Sequence, residues 1–212
     1  MKTILVMAET RQSELRPNSL EVSSAAQELR QADDKVIVAV AGMNADNYTS
    51  ALSLAGVDEV VAVKTATEDF DADIQEAAVS ELMEKYTPSV VLMPHSVDSL
   101  GYAPTLARKG NYGFASDVFG LAYDGDDLVA TRAADNQKVN VEVDFPGKDC
   151  VLLTIRPSVF KQAEDAGSPT ISSVDMTSLT SRSQNFRYVE PDSPTVLYIN
   201  GVYCIRSIGR VM

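Results

Sequence analysis

The chain has 212 residues, of which 45% are hydrophobic and 23% are charged, and this composition excludes an intrinsically disordered protein. Thirty acidic residues against eighteen basic ones give a formal net charge of -12. A field of this sign repels nucleic acid and anionic lipid, because neither would release counterions to it. The composition therefore predicts a folded domain that binds neither nucleic acid nor membrane and that has a basic protein as its natural partner.

Targeting and cysteine signals are weak in this sequence. The longest apolar runs, such as Val36 to Ala41, fall far short of the roughly 20 residues that span a bilayer. The first apolar stretch ends at Glu9, too early for a secretory signal peptide, so we expect a cytoplasmic protein. Cys150 and Cys204 lie far apart and have neither metal-ligand nor redox spacing, so we expect buried or idle thiols and no metal site.

The first half of the chain alternates short apolar strands with amphipathic helices. The predicted elements are a strand at Lys2 to Met7, a helix at Asn18 to Ala32 capped by Asn18 or Ser19, a strand at Val36 to Val40, a helix at Asp46 to Leu54, a strand at Glu59 to Val63, a helix at Asp71 to Tyr86 and a strand at Ser89 to Met93. Strands that are apolar at every position are buried on both faces. The order predicts an α/β fold, a doubly wound, mostly parallel sheet flanked by helices.

The second half of the chain is richer in strands. A helix is predicted around Leu100 to Lys109, in which Pro104 is tolerable if it falls in the first turn. The β-rich runs that follow, separated by turn signals, are Gly120 to Tyr123, Leu128 to Ala133, Val139 to Phe145 and Cys150 to Ile155. They predict additional antiparallel strands in the same sheet and a domain over residues 1–160. Residues 161–212 are polar and predict a surface arm and a C-terminal tail, with one last apolar stretch at Val196 to Ile199.

A phosphate-binding turn is missing at the place where an open α/β sheet would carry it. Such a turn needs glycines after the first strand, because only a bare backbone brings successive N–H groups to an anion. The loop here is Ala8-Glu9-Thr10-Arg11-Gln12, which contains no glycine. Glu9 would repel a phosphate, and Arg11 is left as a weak candidate for cofactor binding.

Two further places carry weak candidates for cofactor binding. His95 and Ser96 follow the fourth strand, and ligands of such sheets bind beyond the carboxyl ends of the strands. Arg156 follows a later apolar strand and precedes Pro157, so it would present a fixed cation at the strand end. Each has a simpler interpretation, since Ser96 could cap the next helix and Arg156 could form a structural ion pair. No catalytic residue is assigned, because a nucleophile, a base and an orienting acid cannot be paired from spacing alone.

Six segments of the chain together resemble one protein family. They are Ile4-Leu5-Val6-Met7-Ala8-Glu9, Ser19-Leu20-Glu21, His95-Ser96, Leu100 to Arg108, Ala115 to Val118 and Leu152 to Pro157. In order and spacing across residues 1–160 they resemble the N-terminal domain of the electron-transfer flavoprotein alpha subunit. The resemblance implies an adenine nucleotide alpha hydrolase-like fold, and an electron carrier subunit or scaffold rather than an enzyme.

The resemblance also implies partners and a cofactor. The domain would pair with an electron-transfer flavoprotein beta-type subunit and serve flavin dehydrogenases indirectly. FAD in that family is held mainly by a C-terminal domain whose motifs are missing from this sequence, so we expect the purified chain to be colourless. AMP would belong to the partner subunit. Two alternatives stay open: a stand-alone α/β protein that binds an adenine nucleotide or FAD, and a truncated fragment of a full-length alpha subunit.

Overall fold

The structure, a computed structural model, describes residues 2–183 and the backbone of residues 195–199 and 202–206. The chain divides into two compact units, Met1–Arg182 and Ser183–Met212. The described part of the second unit is an antiparallel pair of strands. Among the described residues, no helix is both long enough and apolar enough to cross a bilayer.

The elements of the first unit follow the predicted alternation. Its strands are β1 (Thr3–Ala8), β2 (Thr10–Arg11), β3 (Glu14–Leu15), β4 (Lys35–Gly42), β5 (Glu59–Lys64), β6 (Val90–Pro94), β7 (Gly113–Asp124), β8 (Asp127–Ala134), β9 (Val139–Asp144), β10 (Val151–Ile155) and β11 (Thr170–Asp175). Its helices are α1 (Pro17–Leu29), α2 (Thr49–Leu52), which follows a 3-10 turn at Ala45–Tyr48, α3 (Ala72–Tyr86) and α4 (Val97–Gly110). The second unit contributes β12 (Thr195–Ile199) and β13 (Val202–Arg206).

One nine-stranded sheet organises the first unit, in the order β11-β5-β4-β1-β6-β10-β7-β8-β9. The strands from β11 to β7 are parallel to their neighbours, whereas β8 and β9 are antiparallel additions at one end. The predicted fold class, a mostly parallel α/β sheet with added antiparallel strands, is therefore confirmed. The short strands β2 and β3 form a separate hairpin.

The core consists of two apolar layers, one on each face of the sheet. Alternate residues of β1 show the division, since Ile4 and Val6 pack in the layer that contains α1 whereas Leu5 and Met7 pack in the layer that contains α3 and α4. All four side chains are at most 1% exposed. Burial on both faces explains why the central strands contain uninterrupted apolar residues, since either face would otherwise expose them to water.

Two local expectations for the helices were wrong. Helix α1 begins at Pro17 with Arg16 at the N-cap position, so neither Asn18 nor Ser19 caps it. Pro104 lies inside α4 rather than in its first turn. The proline is tolerated there because it lies on the exposed side of the helix, where water can satisfy the carbonyl that loses its partner.

The segment after β10 extends the first unit past residue 160, the boundary that the sequence predicts. The amide of Gly167 donates to the carbonyl of Ser53 at 2.8 Å, and β11 then pairs with β5 at the sheet edge. The guanidinium of Arg182 binds the carboxylate of Asp73 at the start of α3, with an Nε–Oδ2 distance of 3.0 Å. A mostly polar strand on an exposed edge has no apolar pattern to reveal it, so the sequence predicts an arm and no strand at residues 170–175.

Candidate functional site at the carboxyl edge of the sheet

Strands are added to the sheet on both sides of β1, and the switch from one side to the other comes between β5 and β6. From β1 the sheet grows through β4 to β5, and β6 then pairs on the other side of β1. In open α/β sheets the loops diverge at such a switch point and leave the crevice in which ligands usually bind. Glu9 follows β1, while His95 and Ser96 follow β6, so these side chains lie at the mouth of that crevice.

A hydrogen bond between Ser96 and Glu9 joins the two loops across the switch point. The Ser96 hydroxyl donates to Oε1 of Glu9 at 2.6 Å. Ser96 also caps α4, because its Oγ accepts from the amide of Ser99 at 3.1 Å and its own amide donates to the Ser99 hydroxyl at 3.2 Å. The backbone of Glu9 is fixed separately, since its amide donates to Ser19 Oγ at 2.9 Å. A hydrogen bond between the protein's own side chains therefore bridges the mouth of the crevice.

The carboxyl group of Glu9 has an unusual affinity for protons. Burial raises the pKa of Glu9 to about 7, and the nearby Asp98 carboxylate acts in the same direction. The hydrogen bond from Ser96 and the charge of Arg16 lower the pKa, but they do not offset the loss of water around the carboxyl. Glu9 is therefore close to half ionised at neutral pH.

A second polar cluster surrounds Thr154, which is the polar residue of the otherwise apolar strand β10. Its side chain is fully buried, and its Oγ1 accepts from the amide of Asp117 at 3.1 Å. The same oxygen lies 2.9 Å from Nδ1 of His95. A hydroxyl carries one proton and accepts through two lone pairs, so Thr154 can serve either neutral tautomer of this imidazole.

Asp117 and Arg156 form a two-point ion pair beside Thr154. Nε and NH2 of Arg156 donate to the two carboxylate oxygens of Asp117 at 2.8 and 2.7 Å. The hydrogen bond from Arg156 holds the pKa of Asp117 below its usual range, and His95 contributes to the same shift from 4.0 Å. Asp117 adopts a left-handed backbone with a φ of 60°, where the register of β7 against β10 shifts. The guanidinium also lies 5.0 Å from the ring centre of Phe119.

The structure brings some of the predicted site residues together and separates another. His95 and Arg156 both contact Asp117, while Ser96, the next residue, instead caps α4 and binds Glu9. Arg11 lies exposed in β2, and in the described part of the chain its side chain has no hydrogen bond or ion pair. Thr154 and Asp117 also belong to this cluster, and the sequence does not predict them as site residues. The one sequence feature that could have indicated Thr154 is its position as a lone threonine in the apolar run of β10.

The described residues do not fit a dinucleotide or a chelated metal ion. No glycine lies between Glu9 and Arg16, and the Glu9 carboxyl occupies the place where a phosphate would approach the start of α4. Residues 2–183 also contain no group of three or more His, Cys, Asp or Glu side chains placed to hold a metal ion. Burial raises the pKa of the Cys150 thiol to about 12, which leaves it unreactive at neutral pH.

The fold and the site define a class of protein, a doubly wound α/β domain whose switch-point crevice is bridged by a hydrogen bond between Ser96 and Glu9. Comparison with known families identifies one family within this class. The family model for the electron transfer flavoprotein domain matches residues 4–179. The chain therefore belongs to the electron transfer flavoprotein domain family, as the six segments of sequence had indicated.

Individual relatives are alpha subunits of electron transfer flavoproteins. The subunit from Methylophilus methylotrophus is 58% identical over 211 residues, which are 99% of this chain and 66% of that protein. The subunit from Thermoanaerobacterium thermosaccharolyticum is 29% identical over 76% of this chain and 50% of its own length. The subunit from Bacillus subtilis is 25% identical over 82% of this chain and 54% of its own length. The chain thus spans between half and two thirds of these relatives.

Glu9→Gln should remove a pH dependence of stability. The folded pKa of about 7 exceeds the ordinary value of 4.5, so the stability that protonated Glu9 contributes is complete below pH 4.5 and is lost as the pH rises to about 7. Relative to the variant, the free energy of unfolding of the unmodified chain should therefore fall by up to about 3 kcal/mol across that range. Urea unfolding of both proteins at several pH values measures this difference in the free energy of unfolding. A difference between the two proteins that does not change with pH would contradict this assignment.

A double-mutant cycle should detect the ion pair of Asp117 with Arg156. The two side chains are 32% and 26% exposed, so we expect a coupling free energy of only about 0.5 to 1 kcal/mol between Asp117→Asn and Arg156→Gln. Because the pKa of Asp117 is lowered, the coupling should persist at neutral pH and disappear as the pH falls below the ordinary range of an aspartate. Arg108→Gln, at an exposed position of α4, is the matched control and should be additive with Asp117→Asn. Equal coupling in both cycles would rule out a specific pair.

Proposed function

We propose that this chain acts in electron transfer as an alpha-type electron transfer flavoprotein subunit, with the unit Met1–Arg182 as its interaction domain. Its task is to dock a beta-type subunit. The observation that carries the proposal is the family match over residues 4–179, combined with a switch-point crevice that a hydrogen bond between Ser96 and Glu9 bridges. A member of a flavoprotein family whose described residues lack a phosphate cradle is better suited to organise an electron carrier than to catalyse a reaction.

The FAD of such a carrier would be gripped elsewhere. The turn after β1 supplies a carboxyl group where a pyrophosphate needs bare backbone N–H groups, and this argues against FAD or AMP at the switch point. Arg11, His95, Ser96 and Arg156 remain weak candidates for contact with a cofactor that another domain or the partner holds. Flavin dehydrogenases would be served through the assembled carrier, and the protein would work in the cytoplasm.

The free edge of β9 is the docking surface that the fold favours for the beta-type subunit. β9 ends the sheet, and within the described residues no strand pairs with its outer side. Valines at 139, 141 and 143 alternate along it with Asn140, Glu142 and Asp144, and Val139 is 49% exposed. β9 contains none of the prolines or lysines that usually protect an edge strand. An extended segment of the partner can add to such an edge through main-chain hydrogen bonds.

Val141→Asp tests this docking surface. Val141 lies opposite Arg132 in β8, so a new carboxylate has a cationic neighbour in the free protein while it becomes costly to bury under a partner strand. We expect the dissociation constant for the cognate beta-type subunit to rise at least tenfold, measured by calorimetry on the purified chain.

Asn140→Asp is the matched control, because it places the same carboxylate on the other face of the same strand. Its effect should stay below about threefold, which is well under 1 kcal/mol. Equal affinities for the unmodified chain and Val141→Asp would exclude β9 as the docking edge. Failure of the unmodified chain to bind the beta-type subunit at micromolar concentration would exclude the proposed function itself.

A further inference from the structure

The last segment of the first unit, residues 170–182, covers one edge of the sheet while it buries few of its own side chains. It consists of β11 and the turns that lead from it to Arg182. No side chain of β11 is fully buried, and Ile171 is 58% exposed. β5, which it covers, is instead buried at each of its four central positions. Because local stability follows the buried apolar surface, we expect this segment to open more easily than the rest of the sheet.

The chain is firmly anchored immediately before this segment. The amide of Gly167 donates to the carbonyl of Ser53 at 2.8 Å. A Cβ atom at position 167 would lie 2.2 Å from the carbonyl oxygen of Leu54, so only glycine allows the two backbones to approach this closely. Pro169 follows, and its ring restricts the φ angle of the chain just before β11 begins. Residues 167–169 therefore provide a fixed point from which β11 starts.

The other end of the segment is held by a clamp on the first turn of α3. Oδ2 of Asp73 accepts from the backbone amide of Arg182 at 2.9 Å and from Nε of the same residue at 3.0 Å, while NH2 of Arg182 donates to Oδ1. Such a two-point ion pair is specific in its geometry. The side chain of Arg182 is nevertheless 89% exposed, so water and salt reach it freely. The clamp is therefore precise and also easy to break.

Few side-chain contacts hold the segment between its two ends. Met176 is its only fully buried residue, and the Met176 amide donates to the carbonyl of Lys64 at 2.8 Å. Leu179 is partly buried against the same apolar layer. The hydroxyl of Ser172 donates to Oε1 of Glu59 at 2.7 Å. When the segment opens, it gives up these contacts and the main-chain pairing of β11 with β5, and the interior of the first unit is otherwise left in place.

We propose that residues 170–182 form a hinged flap, anchored at Gly167 and latched by Asp73 and Arg182, which opens as one unit and uncovers the outer edge of β5. The closed flap keeps the main-chain groups of an apolar strand from pairing with another chain. The open flap leaves those N–H and C=O groups unpaired. Because Arg182 is the last residue of the first unit, its release frees the flap from that end while α3 and the other strands stay folded.

Amide hydrogen exchange of the purified 212-residue chain, resolved residue by residue by NMR, tests the flap. The hydrogen-bonded amides of the flap should exchange at least about tenfold faster than those of β4, because they open locally. The amides of β5 that point to β11 should exchange with the flap, whereas those that point to β4 should stay protected. Equal rates in the flap and in β4 would mean that the flap opens only when the whole unit unfolds, and would overturn the proposal.

Asp73→Ala and Arg182→Ala should each speed exchange in the flap about threefold, and the double variant should go no further, because all three break the same exposed ion pair. A chloride salt at about 1 M should bring the unmodified chain close to the variants. Glu84→Ala is the matched control, since it removes another acidic side chain from the exposed side of α3, and it should leave the flap unchanged. Unchanged exchange in Asp73→Ala and Arg182→Ala, or an equal rise in Glu84→Ala, would overturn the latch and with it the proposal.

Discussion

Burial of the central strands on both faces is the constraint on which the rest of the structure depends. β1, β4, β6 and β10 pack against apolar layers on each side, so the interior has almost no place for a polar side chain. Thr154 is the exception within β10, and its hydroxyl is satisfied by Asp117 and His95. Polar chemistry is therefore confined to the ends of the strands, and the carboxyl edge collects most of it.

At that edge the protein uses its own groups where related topologies hold a ligand. The Glu9 carboxyl contacts the cap of α4, and Asp117 neutralises Arg156. In both arrangements the polar groups are already paired within the protein, so few of them are left to bind an anion. The two carboxyl groups stabilise the fold at different pH, because burial raises the pKa of Glu9 whereas the ion pair lowers the pKa of Asp117. Glu9 therefore contributes most stability in acid, and Asp117 contributes most near neutrality and above.

Much of the fold could be predicted because its signals are local. A strand that is buried on both faces is a continuous apolar run of four to eight residues, and a helix that is buried on one face has apolar residues at helical spacing. The misses have non-local causes. Ser19 looks like a cap but binds the backbone of Glu9, and β11 is recognisable only through its pairing with β5. The contact of Ser96 with Glu9 joins positions 87 apart in sequence, and spacing carries no information about it.

The candidate site was thus only partly predictable. His95, Ser96 and Arg156 were placed correctly at strand ends, because the carboxyl ends of parallel strands share one edge. Their partners were not foreseen. Glu9 was interpreted only as a repulsive charge, since its burial, and with it its raised pKa, depends on how α4 packs against β1.

The proposed function requires that this domain docks a beta-type subunit and does not bind a nucleotide by itself. Calorimetric titration of the purified chain with its cognate beta-type subunit, and separately with FAD and with AMP, tests it most directly. We expect a saturable heat with the beta-type subunit and no heat with either nucleotide alone. Saturable binding of FAD or AMP, together with no heat from the beta-type subunit, would contradict it.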